Sequence, residues 1–278
     1  MSSLHASATT VGGTAVHDAP QAPTGATEPR AGVTGIGFGR LVRVELRKLV
    51  DTRAGRWLLI AIVAITALVV GIMLFAADPK DLTFGNFVGM TATPQAILLP
   101  ILGILAVTSE WSQRTGLVTF TLEPRRGRVA GAKLVAALLV GVLAVAVAIA
   151  VGALANVLGS AAFDGAGTWD FEVSLLGGAL LMQLLGVAQG VAFGMLLLNT
   201  PAAIVAYLAL PTVWSILANV VSSLDSWAEW LDMSRTTAPL LDGGMGGAEW
   251  AHLAVSAGVW VLLPLAVGMW RLVHREVK

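Results

Sequence analysis

Long stretches without charged residues dominate this 278-residue chain. A membrane-spanning helix needs about 20 consecutive apolar residues, and five stretches that lack Asp, Glu, Lys and Arg reach that length. The longest, residues 173–224, has room for two spans. Its middle reads Asn199-Thr200-Pro201, and we expect a turn there because proline disfavours helix at the residue before it. Six spans are therefore predicted, at about residues 57–77, 88–109, 134–158, 174–198, 201–221 and 250–270.

The composition agrees with a membrane protein. Only 12% of the residues are charged, whereas soluble domains carry about 25%. Helices are expected because hydrocarbon offers no partner for an unpaired backbone amide, and the alternation typical of barrel strands is absent. The net charge of zero gives no basic surface for nucleic acid. The lack of cysteine excludes disulfides, thiolate nucleophiles and cysteine-bound metals. The sequence therefore predicts an all-α polytopic membrane protein with six transmembrane helices.

Lysine and arginine concentrate on one side of the predicted membrane. Fifteen of the 17 lie before span 1, between spans 2 and 3 or after span 6, and only Lys80 and Arg235 lie on the other side. The positive-inside rule therefore predicts that both termini are cytoplasmic. We expect an integral, multi-pass protein of the bacterial cytoplasmic membrane.

The segments outside the spans differ in character. Residues 1–37 are rich in Ala, Thr, Gly, Ser and Pro, which is typical of a disordered tail. Residues 38–56 predict a basic amphipathic helix at the inner leaflet, followed by a six-span domain over 57–278. The loop between spans 2 and 3 is long, basic and amphipathic, so it either docks onto a partner or serves only as a positive-inside anchor. The segment 222–249 predicts a short interfacial or re-entrant helix on the outer face.

The spans offer little chemistry of their own. The predicted spans contain no Asp, Glu, Lys or Arg, and His252 is the only histidine in them. This disfavours proton relays, ion-coupled transport and voltage sensing. The chain has no Gly-x-x-x-x-Gly-Lys-Ser/Thr phosphate loop, and its spans offer no nucleophile and base pair for an intramembrane hydrolase. We therefore expect no enzymatic activity and no cofactor or metal in this chain. Energy for directional work would come from another polypeptide.

The polar and small residues within the spans favour a role in helix packing over a role in ligand binding. Four polar side chains are candidates for lining an apolar cavity: Thr93, Gln95, Gln183 and Gln189. Interhelical hydrogen bonds are the favoured interpretation of all four. Three glycines at successive i+4 positions form a ridge that permits close helix approach: Gly186, Gly190 and Gly194. Packing within one chain is favoured over a dimer interface.

Three features together suggest a family. They are the stretch Val44-Glu45-Leu46-Arg47-Lys48-Leu49 before span 1, the loop that begins Thr108-Ser109-Glu110, and the long outer segment between spans 5 and 6. With these features the chain resembles the type-2 ABC transporter permeases, the six-span membrane subunits of ATP-binding-cassette exporters. The resemblance covers residues 38–278.

The resemblance implies roles for two segments. Residues 40–55 would form the connecting or elbow helix, with Glu45, Arg47 and Lys48. Residues from about 110 to 126 would form a cytoplasmic coupling helix seated on an ATPase. The residues assigned to coupling are Glu110, Arg114, Gly116, Pro124, Arg125, Arg128 and Lys133. We expect Lys133 to extend its ammonium toward the membrane interface, and the arginines to be docking contacts or lipid anchors.

The resemblance also implies a function. The chain would be an export permease that moves a hydrophobic or amphiphilic substrate, with ATP and Mg²⁺ bound by two separate ATPase subunits. A second permease subunit, identical or different, would complete the path, and lipid would surround it. Two alternatives stay open: a stand-alone ion-coupled or facilitative carrier, and a non-transporting scaffold or accessory subunit.

Overall fold

The computed structural model describes residues 36–113, 123, 125–169 and 173–274, and these residues form helices and loops without strands. Six helices are long and apolar enough to cross a membrane, which confirms the prediction of an all-α protein with six spans. The predicted tail of residues 1–37 lies almost entirely outside the described residues. The same holds for the predicted coupling residues Arg114, Gly116 and Pro124.

Eleven α-helices are found in the described part of the chain. In chain order they are α1 (Phe38–Asp51), α2 (Arg53–Ala76), α3 (Phe84–Ser112), α4 (Arg126–Ala162), α5 (Val173–Leu197), α6 (Thr200–Val220), α7 (Asp225–Leu231), α8 (Met233–Thr237), α9 (Pro239–Asp242), α10 (Gly247–Ala257) and α11 (Leu263–His274). A π-helical turn, Gly258–Leu262, joins α10 and α11 into the sixth span. The 3-10 turns Pro79–Asp81 and Ser222–Leu224 lie in the connections after α2 and α6.

Helix α1 is amphipathic and separate from the first span. It buries Leu41, Val42 and Leu49, whereas its arginines are exposed. Thr52 ends it with an extended backbone (ψ 143°) and accepts a hydrogen bond from the Gly55 amide through its side chain. This N-cap starts α2, so the first span begins at Arg53, earlier than the charge-free stretch alone predicts.

Helices α3 and α5 form the centre of the bundle. About half of the residues in their apolar stretches are buried (56% and 50%), against 17% in α2 and 11% in α6. The contact between them is close because α5 presents glycine: a Cβ on Gly190 would collide with the carbonyl oxygen of Pro100, and one on Gly194 would lie 3.2 Å from the Cα of Ile104. Gly186 faces Pro100 as well. The predicted glycine ridge thus packs against a helix of the same chain.

The spans extend beyond the charge-free stretches at one end of the bundle. Helix α3 continues to Ser112 and α4 already begins at Arg126, so Glu110 and Lys133 lie inside helices. A charged side chain ends a span only if it must remain in water, and these two find partners within the protein. We call this end of the bundle, where α1 also packs, the α1 end.

The segment between α6 and α10 covers the opposite end, which we call the far end. Asp232 separates α7 from α8 and caps α8, since its Oδ1 accepts from the amides of Ser234 and Arg235. The sixth span holds this segment: Trp260 donates its indole N–H to the Leu231 carbonyl at 2.7 Å. The positions of α7, α8 and the last span are therefore linked.

Candidate functional site

Four charged side chains from three helices meet at the α1 end. The Lys48 Nζ lies 2.8 Å from Glu45 Oε1 and 2.7 Å from Glu110 Oε1. The Lys133 Nζ lies 2.7 Å from Glu45 Oε2 and 3.1 Å from Glu110 Oε1. Each lysine therefore contacts both glutamates. We call these four residues the charge cluster; it joins α1 to α3 and α4.

The charge cluster is mostly removed from solvent. The side chains of Lys133, Glu45 and Glu110 are 3%, 6% and 7% exposed, and that of Lys48 is 37% exposed. Lys133 also donates to the Ala106 carbonyl at 3.0 Å, so its three N–H groups have three acceptors. Such pairing offsets the large cost of burying charge, and loss of one member would leave an unpaired buried charge.

Lys48 remains protonated in this setting. Burial lowers the pKa of Lys48, but hydrogen bonds to Glu110 and Glu45, together with their negative charge, raise it by more. The pKa of Lys48 therefore lies above its ordinary value of 10.5. At neutral pH Lys48 therefore keeps its charge.

The charge cluster joins residues that sequence reasoning had assigned to two separate segments. Glu110 and Lys133 were assigned to coupling, and Glu45 and Lys48 to the elbow helix. The expectation that Lys133 extends toward the membrane interface is wrong: its side chain is buried within the protein, and its ammonium contacts the carboxylates of Glu45 and Glu110. One signal in the sequence could have revealed this contact. Glu45 stands at i+4 spacing in the apolar stripe Leu41, Glu45, Leu49, where a carboxylate needs a buried partner.

The other predicted site residues at this end divide by exposure. Arg128 pairs with Glu123 at 3.2 Å and donates to the Ile36 carbonyl at 2.8 Å, so it binds its own chain. Arg125 is exposed. The Arg47 side chain is 84% exposed, and its closest approach to the Asp51 carboxylate is 3.9 Å. The two residues therefore form a weak surface ion pair.

Two of the four candidate cavity residues line a cavity. Gln183 and Gln189 face a cavity of about 310 Å³ between α3, α5, α6 and the start of α8. Thr93 does not line this cavity. Its hydroxyl donates to the Gly89 carbonyl of the same helix at 3.1 Å. Gln95 is buried in α3 and is not among the residues that line this cavity. Sequence reasoning missed Asp232, a buried lining residue from a segment expected to be interfacial.

The described residues contain no group of three or more His, Cys, Asp or Glu arranged to hold a metal ion. The α1 end provides a paired, buried attachment between an amphipathic helix and the two helices, α3 and α4, that residues 113–125 connect. At the far end the bundle provides a partly polar cavity. No protein-family model and no curated protein matches this chain.

Proposed function

We propose that this chain is the membrane-spanning permease subunit of an ATP-driven ABC exporter. The charge cluster is the observation that carries the proposal. It ties α1 to the two helices from which the 113–125 loop extends. A loop that receives force from a partner moves α3 and α4 through the continuous chain, and the charge cluster passes that movement on to α1.

The energy source in this proposal is a separate polypeptide. The sequence has no phosphate loop, so two cytoplasmic ATPase subunits would bind ATP and Mg²⁺. A second permease subunit, identical or different, would complete the transport path. The sparsely buried helices α2 and α6 offer apolar faces to lipid and to that subunit.

Orientation follows from charge in the same proposal. Helix α1 acts as the elbow helix, with exposed Arg40, Arg43 and Arg47 toward anionic headgroups of the inner leaflet. The α1 end is then cytoplasmic, as are both termini, and the membrane is the bacterial cytoplasmic membrane. The far end faces outward.

Force transfer uses the side chains of the charge cluster. When the ATPase subunits close, the docked 113–125 loop moves the adjoining helix ends. Glu110 lies on one flank of the loop and Lys133 on the other, and they contact each other at 3.1 Å. Their shared contacts with α1 make the three helices respond together. Access to the far-end cavity then alternates with ATP binding and hydrolysis.

Purification of the full chain in mild detergent from its native host tests the proposal directly. We expect a stoichiometric phosphate-loop ATPase to co-purify and to hydrolyse ATP. Replacement of residues 114–122 by a neutral Gly-Ser linker leaves the charge cluster intact and should abolish this association. The same linker inserted after Gly244, at the far end, is the control and should retain it. A folded chain recovered without an ATPase would favour a stand-alone carrier or a scaffold.

Arg125 and Arg128 separate docking from folding. Arg125 is exposed, so Arg125→Ala should lower stimulation of the ATPase severalfold while leaving the Tm of the isolated chain unchanged. Arg128 binds Glu123 and the Ile36 carbonyl, so Arg128→Ala should lower the Tm. Equal ATPase stimulation in Arg125→Ala and wild-type protein would remove Arg125 from the docking surface.

A further inference from the structure

The cavity at the far end contains buried polar atoms without partners. These atoms are Gln183 Nε2, Gln189 Nε2 and Asp232 Oδ2. The three residues are 6%, 5% and 2% exposed and all line the cavity. Buried polar groups are nearly always hydrogen-bonded, and each exception calls for an explanation such as a bound molecule. Three residues that line the same cavity therefore carry two unpaired donors and one unpaired acceptor.

Asp232 has no hydrogen-bonded counter-ion for its second oxygen. Its Oδ1 caps α8, which leaves Oδ2. The nearest cationic group is Arg235, whose Nε lies 3.9 Å from Oδ2, beyond hydrogen-bond distance. The Arg235 Nη atoms bind Asp225 at 2.6 Å and Asn219 at 2.7 Å instead. One carboxylate oxygen of Asp232 at the cavity therefore accepts no hydrogen bond, and its nearest cationic group is the Arg235 Nε at 3.9 Å.

Two prolines add acceptor character to the same cavity. Pro100 in α3 and Pro211 in α6 have no N–H to donate to the carbonyls four residues earlier, those of Ala96 and Tyr207. Both Ala96 and Tyr207 line the cavity. Helical carbonyls without their usual donor attract cations and N–H groups, which is how interrupted transmembrane helices bind ions and polar substrates.

We propose that this cavity binds a small amphiphile that carries an ammonium group. The ammonium donates to Asp232 Oδ2, and a hydroxyl or carbonyl oxygen of the ligand accepts from Gln183 and Gln189. The apolar part packs against Met182, Met233 and Pro211 on the cavity wall. This inference rests on the proposed function, since it names the chemistry of the cargo. An anionic ligand would meet the carboxylate as a like charge, and a metal ion would find a single carboxylate.

Photo-crosslinking tests binding on the full chain in lipid nanodiscs, without nucleotide or ATPase. The probe is a 2-hydroxyoctylammonium ion with a diazirine in its chain, so that it carries both the ammonium and a hydroxyl oxygen, and the control probe is its neutral N-acetyl analogue. We expect saturable labelling of residues 207–215 and 232–237, displaced by excess 2-hydroxyoctylammonium. Asp232→Asn keeps the size and the capping oxygen and should weaken labelling about tenfold, the loss expected for a charge-assisted hydrogen bond. Glu229→Gln removes a carboxylate of the same segment outside the cavity and should change nothing.

The inference is overturned if the neutral analogue labels the cavity equally, or if labelling is unsaturable and spread over lipid-facing α2. In the first case the cavity binds the apolar chain without selecting the ammonium group, and in the second case water alone fills the cavity. Gln183→Leu is a second variant should Asp232→Asn fold poorly, and equal labelling of Gln183→Leu and wild type also counts against the proposal. Co-purification of an ATPase with no saturable labelling removes the ammonium site and keeps the exporter. Saturable labelling in a chain without an ATPase partner supports the site and rejects the exporter.

Discussion

Lys133 shows how a membrane helix can carry a buried charge near its end. Its ammonium contacts Glu45, Glu110 and the Ala106 carbonyl, so no N–H group is left without an acceptor. The charge-free stretches of the sequence could not predict this arrangement. They show where charge is absent, whereas the pairing depends on which helices become neighbours. Only Glu45, on an apolar stripe, signalled a buried partner.

Lys133→Met should destabilise the folded chain by about 3–5 kcal/mol, because it leaves the two buried glutamates with a single lysine. Lys80→Met is the matched control. Lys80 pairs with Asp78 at 3.4 Å, and the two side chains are 77% and 69% exposed, so its loss should cost less than about 1 kcal/mol. Denaturant unfolding of both variants in the same detergent measures the difference. Equal losses would show that the cluster adds no stability beyond a surface pair.

The contribution of Lys48 to stability should depend on pH only in the alkaline range. Since its pKa is raised above 10.5, its contribution to stability is fully present below that value and is lost as the pH rises through the folded-state pKa. The difference in Tm between wild type and Lys48→Gln should therefore be constant from pH 7 to about pH 10 and shrink above pH 10.5. A difference that already disappears by about pH 9 would mean that burial outweighs the two glutamates.

At the scale of elements, α3 and α5 depend on the absence of side chains between them. The periodic glycines of α5 predicted a close contact, and the sequence favoured a partner within the chain. It could not identify α3 as that partner, since six helices of similar hydropathy offer many faces. Pro100 explains the fit: its ring and carbonyl occupy the space over Gly186 and Gly190. Larger residues at these positions would separate the two central helices.

Gly190→Ala should lower stability by about 2 kcal/mol, the typical cost of overpacking, because the new methyl group would meet the Pro100 backbone. Gly177→Ala on the same helix is the control, since a Cβ there meets no atom within 4 Å. It should be neutral, or stabilising by up to about 1 kcal/mol through helix propensity. Thermal unfolding in one detergent compares the two variants. A neutral Gly190→Ala would contradict the close α3–α5 contact.

At the scale of the whole molecule, composition predicted six spans because hydrocarbon allows few other structures for such a chain. Composition could not predict that Asp232 is buried at the cavity. The residues around Asp232 are typical of a polar connection, and Asp232 becomes buried only when α8 packs against α10 and lines the same cavity as α5 and α6. The sequence therefore did not reveal residues whose role depends on tertiary contact, whereas it did predict the number of membrane-spanning helices.

Membrane orientation can be measured because the chain has no cysteine. Each of two variants, Lys80→Cys and Arg125→Cys, introduces a single thiol at an exposed position. If the α1 end is cytoplasmic, an impermeant maleimide should label Lys80→Cys in intact cells and label Arg125→Cys only after permeabilisation. The reverse pattern would invert the proposed orientation, and the far-end cavity would then face the cytoplasm.

The close contact at Pro100 has a mechanical consequence. A proline lowers the bending stiffness of a helix, and Pro100 lies between Glu110 and Ala96, which are about 21 Å apart along the axis. Gly190 brings the backbone of α5 against α3 at this weak point, so the pair resists bending as one rod. A tilt of about 5° at the charge cluster would then move the cavity wall by about 2 Å over that length. Pro100 therefore lowers the bending stiffness of α3, and it is also the position at which α5 supports α3.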